Sequence, residues 1–101
     1  KVWLNDGSGT FTDSGQTLAK SNSRLASLGD LDGDGDLDAF VANDGKNKVW
    51  LNDGNGKFTD RQTLRNSKSF GVSLGDLDGD GDLDAFVANF NGQANKVWIN
   101  N

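Results

Sequence analysis

The letters SLGDLDGDGDLDAFVAN fill Ser27–Asn43 and recur unchanged at Ser73–Asn89. Each copy packs five aspartates into nine residues, Asp30–Asp38 and Asp76–Asp84. Crowded like charges repel, so a chain that writes this stretch twice needs something positive among the carboxylates. The duplication also restricts the fold, because self-similarity at a fixed period marks repeat architectures. KVWLN at Lys1–Asn5 returns as KVWLN at Lys48–Asn52 and as KVWIN at Lys96–Asn100, and NDGSGTFTD at Asn5–Asp13 returns as NDGNGKFTD at Asn52–Asp60. The spacing is 46 to 48 residues (30 to 76, 1 to 48, 48 to 96). That period suits propeller blades and exceeds that of the common helical hairpin repeats. The boundaries read as one repeat over about 1–47, a second over about 48–95, and the start of a third at 96–101.

The local pattern is that of strands. AFVAN and KVWLN are short, β-branched and aromatic, and Gly, Asn and Asp clusters bound them. NDGSG and NDGNG supply the residues that hairpin turns need at positive φ. In LDAFVAN, Ala39 and Val41 face one way and Phe40 and Ala42 the other, so both faces are apolar and both need cover. A sheet stacked between two others provides it, as in a propeller. Each unit is expected to be a blade of four antiparallel strands: RLASLGD or FGVSLGD, LDAFVAN, KVWLN, then GKFTD. The fold class is all-β, about two propeller blades plus an extra strand.

Charge is segregated along the chain. All 15 acidic residues are aspartate, and the five outside the two loops face ten Lys and Arg. The net charge of −5 therefore belongs to the loops. Absence of cysteine excludes disulfides and thiolate metal sites. No apolar run is long enough for a membrane span. The chain has no secretory signal and no methionine, even at position 1, and reads as a processed product or a piece of something longer.

Counting from Asp30, aspartates occupy positions 1, 3, 5 and 9 (Asp30, Asp32, Asp34, Asp38) with Gly35 at position 6. The second loop repeats this with Asp76, Asp78, Asp80, Asp84 and Gly81. Alternate oxygens wrap a hard cation, and glycine at position 6 permits the turn that brings the chain back. Asp36 and Asp82, at position 7, would lend a backbone carbonyl. All-oxygen ligation favours Ca²⁺, ahead of magnesium or manganese, over zinc or copper, giving two sites per chain. An EF-hand is excluded: its twelfth position needs glutamate and holds Val41 and Val87, and the residues that follow read as strand.

These residues resemble the FG-GAP/VCBS repeat of integrin-α-like β-propellers and many bacterial surface proteins. FGVSLGDLDGDGDLD at Phe70–Asp84 carries the D-x-D-x-D-G-x-x-D signature with Phe-Gly just upstream, and NKVWLNDGNGKF resembles the usual continuation. The resemblance implies that the loop joins the first two strands of a blade and that calcium braces the hairpin. It implies Asp30, Asp32, Asp34, Asp36 (carbonyl) and Asp38 as ligands, and likewise Asp76, Asp78, Asp80, Asp82 (carbonyl) and Asp84. The first unit departs by carrying Arg24-Leu25 in place of Phe70-Gly71, and the chain has no proline for a Gly-Ala-Pro.

Function is narrowed accordingly. His, Cys, Glu and Tyr are absent, which removes the usual general bases and nucleophile partners, so a non-enzyme is expected. The expected role is a calcium-binding scaffold for binding or adhesion outside the cell or at its surface, where millimolar calcium suits dissociation constants of about 10⁻⁴–10⁻³ M. One alternative is a calcium-dependent lectin holding a glycan on Trp3, Trp50 or Trp98; these residues equally suit core packing between blades. Another is a structural or designed self-assembling repeat protein. Arg61, Arg65 and Lys68 read as solvated loop charge, with no nucleic-acid partner. Two blades leave apolar faces carrying Phe40 and Phe86 uncovered, so further blades are expected, from one longer chain or from homo-oligomer copies.

Overall fold

The computed structural model describes residues 1–101 and contains strands and turns only. In chain order the strands are β1 (Trp3–Asn5), β2 (Phe11–Asp13), β3 (Ser23–Gly29), β4 (Asp38–Asn52), β5 (Phe58–Gly75), β6 (Asp84–Asn89) and β7 (Lys96–Trp98). β1 and β2 form a two-stranded sheet, and the rest form a five-stranded antiparallel sheet in the order β3-β4-β5-β6-β7. The architecture is all-β, matches propeller blades in its pairing, and is not closed.

Two strands are longer than the four-strand reading foresees. β4 unites DAFVAN with KVWLN, and β5 unites FTD with FGVSLG. β4 is nevertheless a hairpin. Fifteen extended residues would hold its ends about 45 Å apart, yet the Asn52 backbone N–H donates to Asp38 Oδ1 at 2.8 Å. The fold-back is clasped where Asn43 N–H donates to Asn47 Oδ1 (2.8 Å) and Asn43 Nδ2 donates to the Lys46 carbonyl (2.7 Å). The tip pairs with β5 (Asp44 with Lys68, Lys46 with Asn66), so strand geometry continues through the turn. β5 pairs with β4 over Phe58–Lys68 and with β6 over Ser69–Gly75, linking the units without a break.

The repeat extends to the register. Leu28 lies opposite Ala39 and Gly29 opposite Asp38, as Leu74 lies opposite Ala85 and Gly75 opposite Asp84. Trp3 pairs with Asp13 as Trp50 pairs with Asp60. Thus β3, β4 and the first part of β5 make a complete first unit. The rest of β5, β6 and β7 make a second, and β1–β2 repeats the last two strands of a unit.

The core lies between the units: Phe40 and Ala42 from β4 meet Leu64 and Val72 from β5 and Ala85 and Val87 from β6. Phe40 is 3% exposed and Phe86 is 44% exposed. Of the two phenylalanines expected to lie uncovered, only Phe86 does, because the second unit covers Phe40. Trp50 is buried as core, Trp98 is half-buried against the core, and Trp3 is exposed.

Candidate metal centre

Each acidic loop crosses from one strand to its antiparallel neighbour, β3 to β4 and β5 to β6. The turn is built by glycines. Gly35 and Gly81 at position 6 have φ of +88° and +91°. Gly33 and Gly79 at position 4 also lie at positive φ, +81° and +77°. The left-handed conformation at position 4 went unread in the sequence, although the D-G-D-G-D alternation carries it.

The carboxylates converge in both loops. One oxygen from each of Asp30, Asp32, Asp34 and Asp38 lies within 4.8 Å of the others, and Asp76, Asp78, Asp80 and Asp84 repeat the arrangement. Oxygens bound to a single hard cation at about 2.3–2.6 Å stand no more than about 5 Å apart, so each set fits one ion. The side chains of Asp36 and Asp82 stay outside the clusters.

Hydrogen bonds hold the cluster open. Asp30 accepts from Gly33 N–H (2.8 Å) through Oδ1 and from Gly35 N–H (2.9 Å) through Oδ2. Asp76 accepts from Gly79 and Gly81 in the same way. The Gly35 and Gly81 N–H groups are the main reason that these two carboxyls sit below the ordinary range, against an opposing loss of hydration. Asp32 and Asp78 are pushed the other way, first by lost hydration and then by the adjoining Asp34 or Asp80 carboxyl. Asp36 is raised by lost hydration and by the charges of Asp34 and Asp38. Its carboxylate lies against the next turn, where a Cβ on Gly54 would come within 2.8 Å of Asp36 Oδ2.

Asp38 and Asp84 differ from the rest in being fully buried. Asp38 Oδ2 accepts from Leu31 N–H at 2.9 Å, and Oδ1 takes the Asn52 N–H. Asp84 binds the N–H groups of Leu77 and Asn100, each at 2.8 Å. One side chain thus ties the loop's start to the end of the following hairpin and still presents oxygen to the cluster. Asn52 and Asn100 were not foreseen as part of the site; their recurrence after KVW was the available signal. Asn100 Nδ2 also donates to the carbonyls of Leu83 (3.1 Å) and Leu31 (2.7 Å), joining its own loop to that of the first unit.

The fold and these loops define an all-β repeat module with two carboxylate centres able to hold a metal ion. The family model for the FG-GAP-like repeat matches residues 30–87, more than half of the chain and spanning both loops. The chain belongs to the FG-GAP-like repeat family. No curated protein and no solved structure gives a significant match.

Proposed function

We propose that this chain is a calcium-binding propeller module that serves as a scaffold for binding or adhesion outside the cell, and is not an enzyme. The convergence of four aspartate oxygens in each loop carries the reading. All donors are hard oxygens, and neither histidine nor cysteine is present to favour a softer metal. Asp30, Asp32, Asp34 and Asp38 would hold one ion, with the Asp36 carbonyl beside them; Asp76, Asp78, Asp80 and Asp84, with the Asp82 carbonyl, would hold the other. Bound calcium would supply the positive charge that these carboxylates lack. Through Asp38 and Asp84 the residues would convert that charge into a fixed angle between loop and hairpin. The millimolar calcium found outside cells suits such a site.

Thermal melting under chelation and in graded calcium tests this. The melting temperature should climb with calcium by mass action, the stabilisation reaching about 2.7 kcal/mol at a hundredfold excess over Kd. Magnesium should do much less, because it keeps more of its water. Identical melting in chelator and in calcium would sink the assignment.

A calcium-dependent lectin is the second reading. A cleft of about 530 Å³ between the units is lined by Trp98, Arg61, Gln62 and Asn100 among others. A sugar ring stacked on Trp98 would use its aromatic face. A glycan array run with calcium and with chelator separates the two readings.

A further inference from the structure

We propose that a second copy of this chain docks on the outward face of the second unit, repeating between chains the seam that joins the two units within one chain. The proposal rests on the repeat-module reading above and names the module's partner.

The template is internal. At the seam, Asn47 Nδ2 donates to Ser69 Oγ (2.9 Å), and Ser69 Oγ donates to Asn89 Oδ1 (2.8 Å). Asn47 closes the hairpin of the first unit; Ser69 and Asn89 stand opposite each other in the second. The repeat supplies every counterpart. Asn95 closes the second hairpin, its Oδ1 accepting from Asn89 N–H at 3.0 Å. Ser23 stands opposite Asn43 in the first unit. Asn47 and Ser69 are buried, whereas Asn95 and Ser23 are exposed. Asn43 is 1% exposed, and its Oδ1 is a buried acceptor with no donor. Asn89, its counterpart, has that donor because Ser69 is held in the seam. Asn95 of one copy, bonded to Ser23 of the next, would orient that hydroxyl onto Asn43 and complete the set.

Apolar faces tell the same story. The first unit turns Phe40, Val49 and Leu51 toward the second and buries them fully or in part; their counterparts Phe86, Val97 and Ile99 are exposed. The second unit answers with Leu74 and Leu83, both partly buried, and Leu83 sits where a Cβ on Gly29 would fall. Their counterparts Leu28 and Leu37 are exposed. One face therefore lacks what the other offers. A partner of other chemistry would have to reproduce both the apolar shape and the Asn–Ser–Asn line; a further unit of this repeat, such as a second copy brings, has both already.

The same placement requires an exchange of strands. β7 pairs only with β6, whereas the matching part of β4 also carries the FTD segment of β5 on its far side. The equivalent FTD is β2, which pairs with β1 of the same sequence type. In the docked pair β7 replaces β1 of the second copy, and Lys96 takes Asp13 as Lys1 does at 3.2 Å and Lys48 takes Asp60 at 2.6 Å. β1 and β2 are exposed at every residue, and a lone two-stranded hairpin is marginal in water, so the exchange costs little.

Sedimentation equilibrium of the full chain in calcium tests the proposal. The expected mass is at least twice the 10.8 kDa of one chain. Asn95→Ala and Ser23→Ala should each weaken association by about tenfold or more, since each leaves a buried acceptor unmet. Phe86→Asp should give monomer. Leu4→Pro, which weakens β1, should leave assembly intact or tighten it. A wild-type monomer at every concentration, or an assembly indifferent to Asn95→Ala, Ser23→Ala and Phe86→Asp alike, overturns the proposal. So does dissociation by Leu4→Pro. Calorimetric titration of calcium into the Phe86→Asp monomer decides the metal reading separately: two sites there with no wild-type assembly would refute docking alone.

Discussion

Replacing Asp38 by alanine separates what the loop's last carboxylate does for the fold from what it does for a cation. Its two oxygens take the backbone N–H groups of Leu31 (2.9 Å) and Asn52 (2.8 Å), and the side chain is fully buried. Alanine leaves both donors without that partner. Hydrogen bonds to charged groups contribute about 1.5–3 kcal/mol each, so the metal-free protein should lose about 3–6 kcal/mol. At about 4–8 °C per kcal/mol for a domain of this size, the melting temperature should fall by at least about 12 °C. Asp32→Ala is the control. Asp32 is exposed, its one hydrogen bond in the loop is a long one from Asp34 N–H (3.3 Å), and its carboxyl is already disfavoured as an anion. In chelator it should melt at or above the wild-type temperature, yet lose the calcium response as fully as Asp38→Ala does. Circular dichroism melts in chelator and in calcium read all four numbers. Metal-free Asp38→Ala melting within about 2 °C of wild type, under half a kcal/mol by the same conversion, would show that the two backbone bonds do not anchor the hairpin.

Three further outcomes follow from the same geometry. Asp36→Ala should barely change calcium affinity by calorimetry, because the Asp36 side chain stands outside the cluster; a loss equal to that of Asp32→Ala would put the loop register in error. In chelator, Asp32, Asp36 and Asp78 have raised carboxyls, so their stabilising contribution is present below the ordinary carboxyl range and lost as pH rises through their raised values. Asp30 and Asp76 are depressed and act oppositely, contributing above the ordinary range and failing as pH falls through their lowered values. Melting against pH should therefore show Asp36→Asn gaining over wild type at neutral pH and the gain vanishing in acid, with Asp30→Asn losing at neutral pH. Phe40→Ala should cost about 3–5 kcal/mol in urea unfolding of the isolated chain. At dilutions where the chain is monomeric, Phe86→Ala should cost less than half of that, and equal losses there would mean that Phe86 is covered within one chain as Phe40 is.

The acidic loops were legible from sequence because everything that shapes them lies within nine residues. Side chains at positions 1, 3 and 5 of a turning chain, with glycine where φ must be positive, converge whatever surrounds them. The all-β class was legible for a related reason: the strand pattern follows the period of the side chains and repeats with the letters. Three things were not local. β4 and β5 run longer than their apolar segments, since pairing of the β4 tip with β5 sustains strand geometry through the polar residues between them. The second function of Asp38 and Asp84 depends on residues 14 and 16 positions away, Asn52 and Asn100. Above all, Phe40 and Phe86 sit in identical stretches of seventeen letters, and one is buried while the other is exposed. No property of those letters distinguishes them. Burial belongs to the neighbour: the second unit stacks on the first, and the face that it turns outward keeps the same residues without the cover.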